Sequence, residues 1–233
     1  MLISKNLTML HEQIVEACRK AGRDPASVAL MAVSKVHPVE CLLEAYAAGQ
    51  RLFGENRVQE WQEKSQAAAS LDGLDMHLIG PLQSNKTARA AELFQAIDTV
   101  DSVKIAIRLN DRARELGRRL PIHIEVKLSP EESKHGLAPQ DLPALLEALQ
   151  ALDHLVPAGL MTVPPWPADV SNAGKEARPY FRQLRLLRDE SQAKIATLTG
   201  LSMGMSNDFA AAIEEGSTCI RIGTAIFGAR AKI

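Results

Sequence analysis

Residues 201–228 read LSMGMSNDFAAAIEEGSTCIRIGTAIFG: a short apolar run (201–204), a helical stretch (206–215) and a second apolar run (219–227). A strand, a helix and a strand in so few residues make one parallel pair joined by a crossover, and such crossovers are right-handed almost without exception. The same unit repeats towards the N-terminus. Further strands are predicted at 28–35, 51–55, 76–80, 95–100, 121–128 and 155–163, with helices at 38–48, 56–69, 84–92, 102–117, 139–151 and 176–197 between them. Eight strands alternating with helices at near-constant spacing predict an α/β protein, a single (β/α)8 TIM barrel. An open doubly wound sheet is the alternative that the pattern allows. A helix over 4–21, with Ile3, Leu7, Leu10, Ile14, Ala17 and Ala21 at helical spacing, precedes the first strand as an extra element. No linker or low-complexity tract divides residues 1–233, so one domain is expected, and the loop-like stretch 162–174 reads as a rim loop.

Composition narrows the function classes. With 46% apolar residues the chain can bury one large core, and 27 Lys+Arg against 28 Asp+Glu leave a formal charge of −1. That balance gives no global electrostatic case for nucleic acid or an anionic membrane. Cys18, Cys41 and Cys219 are odd in number and far apart, which argues against a disulfide framework or a zinc site and fits a reducing cytoplasm. The N-terminal stretch lacks the apolar centre of a signal peptide, and no run approaches the roughly 18 apolar residues of a membrane helix.

In a barrel of this kind the loops at the carboxyl ends of the strands build the functional face. Those ends carry Lys35, Glu55 with Asn56, His77 with Gly80, Lys127, Met161, Gly204 with Ser206, and Gly223 with Thr224. The last two ends resemble an anion site: Ser206 can cap the helix that follows, and Gly223 allows close backbone approach. Strand eight neighbours strand one in a closed barrel, so Lys35 stands beside that anion site. A strand-end lysine taken alone is more often a snorkelling surface residue. An amine held on a rigid strand next to a phosphate cradle, however, is what Schiff-base chemistry with pyridoxal 5′-phosphate (PLP) requires.

The motifs AVSK (32–35), FGENRVQE (53–60), HLIGPLQSNK (77–86), ESKHG (132–136), GLMTVPP (159–165) and the 201–228 stretch resemble the PLP homeostasis protein family (YggS/PROSC type) in order along nearly the whole chain. The resemblance implies a barrel like the N-terminal domain of alanine racemase that binds PLP covalently. Its implied role is vitamin B6 and amino-acid homeostasis without established turnover. Carried over by position, it implies that Lys35 forms the aldimine and that Ser206, Gly223 and Thr224 hold the phosphate. Asn56 would lie near the cofactor and Arg221 would face the pyridine nitrogen. The family pattern often has a second lysine two residues after the first and a tryptophan before the third-strand histidine; this chain has His37 and Met76 there.

Plainer readings accompany the remaining residues. Glu55 and Asn56 can cap the following helix, His77 reads as a hydrogen-bonded rim histidine, and Lys134 and His135 read as ordinary loop residues. The functional alternative is a PLP-dependent enzyme such as an amino-acid racemase, which needs a second acid/base on the opposite face of the substrate carbon. Tyr46 and Tyr180 both read as helical, away from the strand ends. The expectation is therefore a cytoplasmic, monomeric PLP carrier, with PLP-free enzymes as its possible acceptors.

Overall fold

The structure is a computed structural model, and residues 2–228 of the chain are described. Helix α1 (Leu2–Lys20) buries Ile3, Leu7, Leu10, Ile14, Ala17 and Cys18 on one face, the stripe that a 3.6-residue period produces. Eight strands follow in order: β1 (Ala29–Val33), β2 (Leu52–Glu55), β3 (Asp75–Leu78), β4 (Ala96–Val100), β5 (Leu120–Glu125), β6 (Leu155–Met161), β7 (Gly200–Ser202) and β8 (Cys219–Ile222). Helices α2 (Val39–Ala47), α3 (Val58–Ser65), α4 (Thr87–Leu93), α5 (Val103–Glu115), α6 (Leu142–Leu149), α7 (Ala173–Gln192) and α8 (Phe209–Glu214) connect them, and α9 (Thr224–Phe227) follows β8.

The strands close in sequence order, with β8 pairing in parallel to β1 from Ala29↔Cys219 to Ala32↔Ile222. The protein is a (β/α)8 barrel with an N-terminal helix, and the open-sheet alternative does not apply. The run 219–227 divides: the strand stops at Ile222, and the amides of Ile226 and Phe227 bond back to Gly223 O at 2.9 Å to form α9. An apolar run alone cannot separate a buried strand from a buried helical turn. With only four residues, α9 covers little of the barrel wall. Helix α1 packs beside it, against α8, α9 and α2, and Asn6 Nδ2 donates to Ile226 O at 2.8 Å. Arg23 ties the exit of α1 to the Ile213 and Ser217 carbonyls at 2.8 and 2.7 Å.

Helix α8 also starts later than its apolar pattern suggests. Asp208 accepts the Met205 N–H at 2.5 Å, a turn that precedes the helix. Gly204 makes that turn possible. Its φ is +102°, and a Cβ there would lie 2.6 Å from the Ala212 Cβ, so only glycine fits without a shift.

The barrel interior is not wholly apolar. Asp98 of β4 accepts at one oxygen from His77 of β3 and His123 of β5, both at 3.1 Å through Nδ1. Burial pushes the Asp98 carboxyl up, but the charges and hydrogen bonds of the two histidines outweigh it and hold the carboxyl well below the usual range.

Candidate functional site

The six residues singled out in the sequence, Lys35, Asn56, Ser206, Arg221, Gly223 and Thr224, all line one cavity of about 340 Å³. It opens at the carboxyl ends of the strands. Lys35 follows β1, Asn56 follows β2, Ser206 lies in the turn between β7 and α8, and Gly223 with Thr224 link β8 to α9. The closure of β8 on β1 is what carries Lys35 to the β8 loop across the seam.

Each position has a local cause. Asn56 sits where it does because Gly80 lets two backbones touch: a Cβ on Gly80 would lie 2.1 Å from Asn56 O. Contrary to the expectation from the sequence, Ser206 does not cap α8; Asp208 occupies the N-cap position and Ser206 stays in the preceding turn. Gly223 is tightly placed, with an added Cβ 3.2 Å from Val33 O. Arg221 is buried, and its two terminal nitrogens donate to Ser202 Oγ and Thr162 O at 2.9 Å each. These bonds hold the guanidinium plane in the barrel mouth.

Glu125 is the residue that the sequence reading missed. The run 121–128 pointed to Lys127 as the strand end, but β5 stops at Glu125. Val126 keeps one bond to β6, its N–H donating to Met161 O at 2.8 Å, and bridges Leu137 on its other side, with Lys127 N–H donating to Leu137 O at 2.9 Å. The Lys127 ammonium reaches Glu132 O at 3.4 Å, whereas Glu125 lines the cavity. Burial pushes its carboxyl up to about 7, with Arg221 opposing the shift and Asp101 adding to it. The available signal was a carboxylate inside an apolar strand pattern, PIHIEV, which burial makes costly without a purpose.

Other expectations change place. His77 is inside the barrel rather than on the rim; burial lowers its pKa, but Asp98 and Asp75 outweigh that and raise it to about 10. Glu55 does not cap α3: it is buried, accepting from Ser34 Oγ at 2.7 Å and pairing with Lys64 at 2.8 Å. Ser133, Lys134 and His135 do line the cavity, together with Trp166. The Trp166 N–H donates to Glu131 at 2.9 Å, so the loops after β5 and β6 meet at the mouth. His37 lies beside the cavity with its ring 5.2 Å from that of Phe227, and Met76 is fully buried. Tyr46 lies on α2, its hydroxyl donating to Asp72 O at 2.6 Å.

The donor set suits an anion with an attached carbonyl. The hydroxyls of Ser206 and Thr224 and the amides opening α9, which have no helical acceptor, meet the needs of a phosphate, and Lys35 supplies an amine in the same cavity.

A closed barrel with a lysine at the end of β1 and anion donors after β7 and β8 defines a class, and the model of the alanine racemase N-terminal domain matches residues 6–231. Within that class the chain belongs to the PLP homeostasis protein family. It is 46% identical over 228 residues to the pyridoxal phosphate homeostasis protein of Pseudomonas aeruginosa, covering 98% of this chain and 96% of that one. The structure of PipY from Synechococcus elongatus PCC7942 with PLP bound superposes with a TM-score of 0.86 at 42% identity, covering 97% of this chain and 100% of that one. Alanine racemase from Corynebacterium glutamicum, 17% identical with a TM-score of 0.72 over 98% of this chain and 61% of its own, shares the fold.

Proposed function

We propose that this protein holds PLP through Lys35 and serves PLP and amino-acid homeostasis by retaining the cofactor and handing it on, without substrate turnover. The observation that carries the proposal is the convergence of Lys35, Asn56, Ser206, Arg221, Gly223 and Thr224 on one cavity. When bound, PLP supplies an aldehyde that a lysine amine can hold covalently and that incoming amines can take away.

The chain's own residues divide the work. Ser206, Thr224 and the amides around Gly223 bind the phosphate and set how readily the cofactor leaves. Lys35 Nζ is the covalent anchor. Asn56, fixed by its backbone contact with Gly80, bounds the cavity on the β2 side. Arg221, held by Ser202 and Thr162, would set its positive charge towards the pyridine nitrogen of a cofactor bound in this cavity. That charge disfavours a proton on the ring and so weakens PLP as an electron sink. A weak electron sink disfavours carbanion chemistry and so supports retention of the cofactor over turnover.

The test is transfer. PLP-loaded protein is mixed with a PLP-free enzyme and recovery of that enzyme's activity is followed, alongside a screen for racemase, lyase and transaminase products from amino acids. Recovery at stoichiometric yield without amino-acid products is expected. Lys35→Ala is expected to lose the visible band of the lysine-held cofactor while keeping its far-ultraviolet dichroism. Sustained multiple turnover of any amino acid would overturn the carrier reading in favour of an enzyme.

A further inference from the structure

Val36, the residue after Lys35, has φ 59° and is the one non-glycine residue with positive φ among the described residues. A β-branched side chain is a genuine outlier in that region. Packing of its side chain does not explain the conformation, since Val36 is 54% exposed. Hydrogen bonding does: its N–H donates to Glu60 Oε1 at 2.6 Å. Lys64 Nζ lies 2.7 Å from the same oxygen and 2.8 Å from Glu55 Oε1, and donates to Ser34 O at 3.1 Å. The Ser34 hydroxyl completes the ring by donating to Glu55 Oε1 at 2.7 Å.

Residues 34 and 36 are therefore tied, one on each side of Lys35, to a single ionic cluster. That cluster is well shielded, with Lys64 only 11% exposed and Glu55 fully buried at its side chain. Glu60 and Lys64 stand one turn apart on α3, so the helix itself keeps their spacing. A strained backbone persists only where its surroundings over-determine it, and such positions gather at functional sites.

We propose that Glu60 and Lys64, seated on Glu55, are positioning residues that hold the Val36 turn in its left-handed conformation and thereby fix where Lys35 presents its amine to the cavity. The proposal rests on the reading of Lys35 as the PLP-holding lysine. If the cluster lets go, Val36 relaxes to negative φ, the direction of the preceding residue changes, and the amine no longer meets a cofactor anchored by its phosphate.

Five PLP-loaded proteins test it: the wild type, Glu60→Ala, Glu60→Gln, Val36→Gly, and Val36→Gly combined with Glu60→Ala. Borohydride reduction and peptide mass mapping of the wild type come first. A label on any lysine other than Lys35 overturns the functional reading and this assignment with it. Release into a PLP-free acceptor enzyme and the pH titration of the visible band are then measured, with melting temperatures alongside. Glu60→Ala is expected to release PLP roughly tenfold faster, the scale of one lost hydrogen bond to a charged group, and to move the titration midpoint. Glu60→Gln keeps an acceptor for the Val36 N–H and should recover most of the loss. Val36→Gly alone should change little, and the double variant should return towards wild type, because glycine takes a positive φ without help. With the label on Lys35, wild-type release and titration in Glu60→Ala, or a double variant as fast as Glu60→Ala, would overturn the clamp alone. If Glu60→Ala does not fold, Lys64→Met probes the same cluster, and unchanged release there also overturns it.

Discussion

The carboxyl of Glu125 shares a cavity with Lys35 and Arg221, and burial pushes it up to about 7 from an ordinary value of 4.5. As pH rises from 4.5 towards 7 the unfolded chain ionises this group while the fold keeps it protonated. Stability is therefore greatest below about 4.5 on this account and falls as pH climbs through 7. The cost above pH 7 is about 3 kcal/mol, from the size of the shift. Glu125→Gln removes the titration. In denaturant unfolding of cofactor-free protein, the stability of Glu125→Gln relative to wild type is expected to rise by about that amount between pH 4.5 and pH 8. A difference that stays constant with pH would show that Glu125 titrates normally.

At the level of elements, the contact between the end of β3 and the loop after β2 sets one wall of the cavity. A methyl group on Gly80 would meet not a flexible side chain but backbone: Asn56 O at 2.1 Å and Asn56 Cα at 2.7 Å. One of the two loops must move. Gly80→Ala is expected to cost about 1–3 kcal/mol by overpacking and to weaken PLP retention by displacing Asn56. Unfolding curves and the release rate measure the two effects separately, and a variant with wild-type values for both would show that the loops yield freely.

For the whole molecule, the charged centre of the barrel is a structural commitment. Asp98 lies between His77 and His123, bonded to each at 3.1 Å, with its side chain 1% exposed. Asp98→Asn keeps the shape and removes the charge, leaving the part-buried His77 with Asp75 but without its buried counter-ion. Breaking a buried pair in this way costs about 3–5 kcal/mol, and chemical denaturation at pH 6 to 7 should show a loss on that scale. His77, raised to about 10, favours the fold below pH 6.5 and loses that contribution as pH rises through 10. The gap between wild type and Asp98→Asn should therefore narrow at strongly alkaline pH.

The order of elements and six residues of the cavity were legible in the amino-acid sequence. Strand and helix periods are local, right-handed crossovers follow from chain chirality, and residues at strand ends must gather at one rim once a barrel closes. What the sequence could not express were the departures from period. At Glu125 and Gly223 the chain leaves the sheet earlier than its apolar run suggests, because pairing with Leu137 and the α9 turn compete for the same backbone groups. Glu55 read as a cap of the following helix, and only folding brings it, with Glu60 and Lys64 of α3, onto Ser34 and Val36. His77, Asp98 and His123 lie on three consecutive strands, and only the register in which β3, β4 and β5 pair puts the three side chains in one place. Local patterning decides which element a residue joins. Which charges it must face is decided by long-range packing, since contacts between distant segments leave no period in the chain.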